Sequence, residues 1–157
     1  MRNKSYIILH NIRSAQNVGA IFRTADACGI SKIYLSGYSS KPTDRFGREV
    51  TAISKTALGA EKDVAWEYFS QVGSIFKKLK KQGIEIIAVE QSENSTDYKK
   101  VKLKKDTAFI FGNEVKGISK TLLFKCDRIA EIPMLGKKES LNISVTVGIA
   151  LFRILNI

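Results

Sequence analysis

The chain has 157 residues, a size that suits one domain with a real core and leaves no room for a second large module. It carries 26 Lys+Arg against 15 Asp+Glu and a single His, a net charge of +11, with 44% hydrophobic residues and only two Pro. That balance excludes a disordered tail, favours an anionic partner, and, with no long apolar run and no signal layout at the N-terminus, points to a soluble cytoplasmic protein.

Tyr6–His10 reads as a short buried strand. From about Ser14 to Cys28, Val18, Ile21, Phe22 and Ala25 recur at helical spacing and Gly29 follows as a stop, so an amphipathic helix is expected. Gln16, Ala20, Arg23 and Ala27 fall on its other face. Lys32–Leu35 is a second strand, and residues 36–48, rich in Ser and Gly with Arg45 and Arg48, read as a flexible basic loop. A helix is expected near Glu49–Leu58 and a strand around Val64–Tyr68.

Ser70 can cap a helix whose stripe is Val72, Ile75, Phe76 and Leu79, ended by Gly83. Ile84–Val89 and Thr107–Phe111 are apolar enough for central strands. Ser119 starts a short helix to Lys125, Arg128–Ile132 is another strand, and a last helix runs from about Leu141 to Leu155 with Ser140 as its cap. Strands alternate with helices, and several strands are apolar on both faces. The expected fold is therefore α/β, a mostly parallel sheet with helices on both faces, in one domain.

The charge is unevenly spread. Residues 1–60 carry 9 basic and 3 acidic side chains, residues 61–98 carry 5 and 7, and residues 99–157 carry 12 and 5. Two basic ends that meet in space would make a surface for phosphate backbones. The densest run, Lys99, Lys100, Lys102, Lys104 and Lys105, serves equally well as a solvated loop. Cys28 and Cys126 are isolated, and with one His they argue against a disulfide framework or a metal site. Trp66 fits a core or an interface.

Ligands of open α/β sheets sit beyond the carboxyl ends of the strands. Three such ends lead into polar or glycine-containing segments. The first, residues 10–24, carries Asn17 and Arg23; the second, residues 109–119, carries Gly112, Asn113, Glu114 and Gly117. The third, residues 131–155, passes through Pro133 and a Gly-Lys-Lys loop into a helix apolar nearly all round, which must be buried or lie in a subunit interface. Neither glycine-rich phosphate signature is present, which weakens a generic nucleotide-binding domain.

Together, N-V-G-A-I-F-R-T-A-D-A (17–27), F-G-N-E-V-K-G (111–117) and I-P-M-L-G-K-K-E-S-L-N-I-S-V (132–145) resemble the three ordered motifs of the SPOUT class of RNA methyltransferases, specifically the TrmH-type (SpoU) 2′-O-ribose methyltransferases. The resemblance covers essentially the whole chain and implies a minimal catalytic domain over residues 1–157, without the N-terminal RNA-binding extension of many relatives. It also implies a C-terminal trefoil knot and a homodimer. The implied cofactor is S-adenosylmethionine, held at Gly112, Ile132, Met134, Ser140 and Leu141. The implied catalytic set is Arg23, with Asn17 and Glu114 orienting it and the ribose, and Asn142 bridging cofactor and nucleophile. Arg13, Arg45, Arg48, Lys116 and Lys137 are the expected RNA contacts, with tRNA preferred over rRNA and no metal. The rivals are a guanosine base methyltransferase on the same scaffold and a non-catalytic RNA-binding protein that kept the fold.

Overall fold

The computed structural model describes residues 2–157. Its elements run β1 (Ser5–His10), α1 (Ala15–Ala27), β2 (Lys32–Ser36), α2 (Thr51–Ala57), α3 (Ala60–Asp63), β3 (Trp66–Phe69), α4 (Val72–Lys81), β4 (Glu85–Val89) and β5 (Thr96–Asp97). After a 3₁₀ turn at Tyr98–Lys100 come β6 (Thr107–Phe111), α5 (Lys120–Lys125), β7 (Arg128–Glu131) and α6 (Ile143–Leu155). The seven strands form one sheet in the order β3-β2-β1-β6-β4-β7-β5, and every pair of neighbours is parallel.

A parallel sheet must be covered on both sides, and the side chains divide accordingly. Ile7, Leu9, Ile33, Leu35, Phe109 and Phe111 point to the layer of α1, α2, α3 and α6. Ile8, Tyr34, Ile86, Ala88 and Ile110 alternate to the other face, where α4 and α5 supply Ile75, Phe76, Leu79 and Leu122. All of β6 is buried, as a central strand demands. At Gly19 a Cβ would lie 2.3 Å from the Ile53 carbonyl oxygen, so the missing side chain lets α1 and α2 touch backbone to backbone.

The α/β architecture with helices on both faces is as expected, and the departures are local. Gln71, not Ser70, precedes α4, and among the described residues no side chain caps that helix. Asn142, not Ser140, caps α6, its Oδ1 accepting the Ser144 N–H at 2.9 Å. Ser and Asn cap equally well, so a segment holding both leaves the start ambiguous by two residues. Helix α3 and the two-residue β5 are too short to leave a periodic trace.

Residues 36–48 are not the loose loop their composition suggested. Asp44 organises their tip, with Oδ1 accepting the backbone N–H groups of Phe46 at 2.8 Å and Arg48 at 3.0 Å. An acidic side chain that satisfies local donors replaces the ladder a strand would provide.

One topological feature positions the C-terminal third. β7 lies between β4 and β5, yet those two strands are joined directly by residues 90–95. That connection has to span β7 at its carboxyl end.

Candidate active site

The loops leaving β1, β2, β6 and β7 gather at the carboxyl edge of the sheet, and all three motif segments meet there. At the end of β6, Glu114 turns back to the start of α1. Its Oε2 accepts the Arg13 backbone N–H at 2.8 Å and its Oε1 accepts that of Ser14 at 3.0 Å. These are donors that a helix start leaves without partners, and the positive end of the helix dipole favours a carboxylate there. Burial raises the Glu114 pKa. The N–H groups of Ser14 and Arg13 and the Asn17 amide outweigh burial, and the net shift is downward.

Asn17, in the first turn of α1, donates from Nδ2 to Glu114 Oε1 at 3.3 Å. Its Oδ1 accepts from Asn142 Nδ2 at 3.4 Å. A hydrogen-bonded path thus runs from motif two through motif one to motif three. Asn142 sits between Leu141 and Ile143, both of which line the adjacent cleft.

That cleft has a volume of about 1060 Å³. All five residues expected at the cofactor, Gly112, Ile132, Met134, Ser140 and Leu141, line it. Gly112 is packed so tightly that a Cβ would lie 2.7 Å from the Gly117 backbone. The mix of apolar side chains with main-chain donors and acceptors suits a flat heterocycle carrying a polar tail.

Arg23 stands apart from the orienting role expected of its neighbours. It is exposed on a later turn of α1, and among the described residues it makes no hydrogen bond or ion pair with Asn17, Glu114 or any other residue. Glu114 fixes the start of α1 instead, and through the helix it fixes where Arg23 stands. The five expected RNA contacts are all exposed, on loops at this same edge: Arg13 after β1, Arg45 and Arg48 after β2, Lys116 after β6 and Lys137 after β7. Lys104 and Lys105 instead lead into the opposite end of β6.

Two further residues shape the site: Asn113, which the second segment already carries, and Glu90, which sequence reasoning did not single out. Asn113 is buried, its Oδ1 accepting from the N–H groups of Val115 and Lys116 and its Nδ2 donating to the Asn11 carbonyl and the Tyr38 hydroxyl. Glu90 Oε2 accepts the Ile118 N–H at 3.1 Å, beside Gly117. Asn113 stands inside the second motif, whereas Glu90 follows an ordinary strand and carries no signal. His10 is engaged at both ring nitrogens, with Ser36 Oγ at 2.9 Å and Asn11 Nδ2 at 3.3 Å, and burial lowers its pKa.

The SpoU rRNA Methylase family matches residues 4–152. The tRNA (guanosine(18)-2′-O)-methyltransferase of Thermus thermophilus is 33% identical over 146 residues, covering 93% of this chain and 71% of that protein. The 23S rRNA (guanosine-2′-O-)-methyltransferase of Neisseria meningitidis is 33% identical over 145 residues, covering 92% of this chain and 55% of that protein. The crystal structure of an AdoMet-bound rRNA methyltransferase from Sinorhizobium meliloti superposes with a TM-score of 0.84 at 26% identity, over 98% of this chain and 56% of that one. On the three motifs, the parallel sheet and these matches, the chain belongs to the SpoU rRNA Methylase family.

Proposed function

We propose that this chain transfers a methyl group from S-adenosylmethionine to a ribose 2′-hydroxyl of tRNA and works as a homodimer. The observation that carries the proposal is the Glu114–Asn17–Asn142 path, which joins the three motifs beside the cleft. The relatives' printed activities, both guanosine 2′-O-methylations, favour ribose over a base nitrogen. The tRNA enzyme of Thermus is covered over more of its length than the rRNA enzyme of Neisseria, which favours tRNA. The Neisseria relative keeps rRNA as the second reading.

When bound, S-adenosylmethionine supplies an electrophilic methyl group on a sulfonium. Gly112, Ile132 and Leu141 would hold it through main-chain groups, with Met134 and Ser140 beside them. Residues 90–95, which bridge β7, fit the loop of a C-terminal knot through which residues 132–142 pass.

The chain's own part is to position the ribose and ease the loss of the hydroxyl proton. A guanidinium is a poor general base, and the role it suits at Arg23 is stabilising a developing alkoxide. Glu114 is a poor proton acceptor, because its oxygens are committed to Arg13, Ser14 and Asn17 and its pKa is lowered. His10 is committed to Ser36 and Asn11. The proton therefore leaves to an RNA phosphate or to water. Asn142 and Asn17 fix the approach of motif three to α1.

The test is methyl transfer from labelled S-adenosylmethionine to unmodified total RNA, with digestion and nucleoside mass spectrometry. A 2′-O-methylated nucleoside, traced to the tRNA fraction, is the expected outcome. A base-methylated nucleoside would move the activity to the other class of enzyme on this scaffold. A protein that binds RNA but no S-adenosylmethionine would be a non-catalytic member.

A further inference from the structure

The tip of the segment between β2 and α2 carries an aromatic ring that the fold exposes rather than buries. Phe46 is 66% solvent-exposed. Two guanidinium groups lie against it, that of Arg45 at 4.7 Å from the ring centroid and that of Arg48 at 5.0 Å. The tip is built around Asp44. Besides accepting from the Phe46 and Arg48 backbones, its carboxylate takes the Arg48 Nε–H at 2.8 Å. The Asp44 N–H donates to the Arg48 carbonyl at 2.8 Å, and Thr43 pairs with Glu49 as an antiparallel bridge.

The two arginines are therefore unequal. Arg48 is fixed by Asp44, and Arg45 makes no hydrogen bond or ion pair among the described residues. The base of the segment is tied to the candidate active site, because Tyr38 receives the Asn113 amide at its hydroxyl and gives its backbone N–H to Asn11. An exposed aromatic ring with cations at its face, on a tip held by hydrogen bonds, is the pattern that single-stranded nucleic acid uses for base stacking.

We propose that Phe46 is a stacking platform for an unpaired base of the substrate RNA, which takes the place of the Arg45 guanidinium on the ring. Arg45 then turns to the neighbouring phosphate, and Arg48 stays as a fixed cation that holds the ring. The inference rests on RNA being the substrate and deepens that reading, assigning recognition to a part of the chain outside the three motifs. Charge complementarity selects the occupant. Of the two carboxylates beside the tip, Asp44 is spent on Arg48 and the local backbone and Glu49 pairs with Lys62 at 3.6 Å, which leaves Arg45 as a cation without a counter-ion, among the described residues, beside an apolar face.

The experiment compares the parent protein with Phe46→Ala and Phe46→Tyr, using filter binding of unmodified tRNA and calorimetric binding of S-adenosylmethionine. A Phe46→Trp variant adds a fluorescence readout, with the parent's Trp66 as the background. Loss of one stacked base corresponds to roughly tenfold weaker binding. Phe46→Ala is expected to show that loss, with Phe46→Tyr restoring affinity and S-adenosylmethionine binding unchanged in both. The Phe46→Trp emission is expected to be quenched by RNA beyond the parent's signal. RNA binding that is indifferent to Phe46→Ala, or an unquenched Phe46→Trp in the bound state, overturns the stacking platform alone. A parent protein that binds no RNA overturns both this inference and the proposed function.

Discussion

The Glu114 carboxylate and the Asn17 amide lie 3.3 Å apart, and the same carboxylate accepts the backbone N–H groups of Arg13 and Ser14. Charge-assisted bonds of this kind at a helix start contribute about 1–2 kcal/mol together. Glu114→Gln keeps the shape and loses the charge, so thermal unfolding at neutral pH should show it less stable by about that amount. An unfolded Glu titrates near ~4.3, and the folded group titrates lower. The contribution is therefore complete above that range and disappears as the pH falls through the folded value. Melting curves of both proteins should separate at neutral pH and converge as the pH falls through the folded value. A gap that stays constant with pH would deny the carboxylate its role at α1.

Arg23 separates binding from chemistry. It is exposed and without a partner among the described residues, so Arg23→Ala should leave stability within about 0.5 kcal/mol of the parent. It lies outside the cleft lining, so S-adenosylmethionine binding should be unchanged. Loss of one charge stabiliser should lower single-turnover methyl transfer by about 100-fold or more. Full retention of activity would remove Arg23 from the mechanism.

Gly117 and Gly29 form a matched pair. Both have positive φ, +65° and +66°. At Gly117 a Cβ would lie 2.5 Å from Glu90 Oε2, and at Gly29 it would meet nothing within 4 Å among the described residues. Gly29→Ala should carry only the backbone cost of about 1 kcal/mol. Gly117→Ala should exceed it, because Glu90 must give up the Ile118 N–H, and S-adenosylmethionine affinity should fall with it. Equal destabilisation by the two substitutions, read from denaturant melts, would remove Glu90 from the support of the cleft.

The large elements were legible because burial writes itself into the sequence. Val18, Ile21, Phe22 and Ala25 face the core at helical spacing, and β6 is apolar at every position because both its faces are covered. The five cofactor candidates meet in one cleft because the motif resemblance placed them. What stayed hidden depends on contacts distant along the chain or too short to repeat. The start of α6 turns on which of two equivalent capping residues is used, and β5 exists only because β7 lies beside it. The role of Glu114 at the helix start depends on α1 beginning beside the end of β6, a contact that spacing cannot show; the motif resemblance implied only that Glu114 orients Arg23 and the ribose. The order around Asp44 was masked by a composition that otherwise means a loose loop.

The cysteines should be chemically quiet in the folded protein. Burial pushes the Cys126 thiol up to about 12, against the smaller opposing effect of Lys80, and its Sγ donates to the Leu122 carbonyl. Burial also raises Cys28, with Arg2 opposing. At pH 8 on the order of 10⁻⁴ of the Cys126 thiol is ionised, and the thiolate is the reactive form. A thiol reagent at pH 8 should therefore react slowly with the native protein and rapidly, at both cysteines, once it is unfolded in guanidinium. Rapid reaction of the native protein would show that one of the two sites opens to solvent.

Helix α6 offers the clearest test of assembly. Val147, Ala150, Leu151 and Ile154 are buried against the rest of the domain, while Val145 is 47% and Phe152 44% exposed. Val145, Ile149 and Phe152 follow one another at helical spacing, so an apolar stripe runs along the outer side of a helix that already has a core-facing one. An exposed stripe of this kind is covered most simply by a second copy of itself about a two-fold axis. Val145→Glu combined with Phe152→Glu places charge on that stripe without touching the buried positions. Sedimentation equilibrium should give the parent at twice the chain mass and the double variant at the chain mass, with unchanged helical circular dichroism. Because Leu141 and Ile143 at the start of the same region line the cleft, separated subunits should also bind S-adenosylmethionine more weakly. A parent protein that sediments as a single monomer and still methylates RNA would show that the exposed stripe on α6 is not an interface between copies.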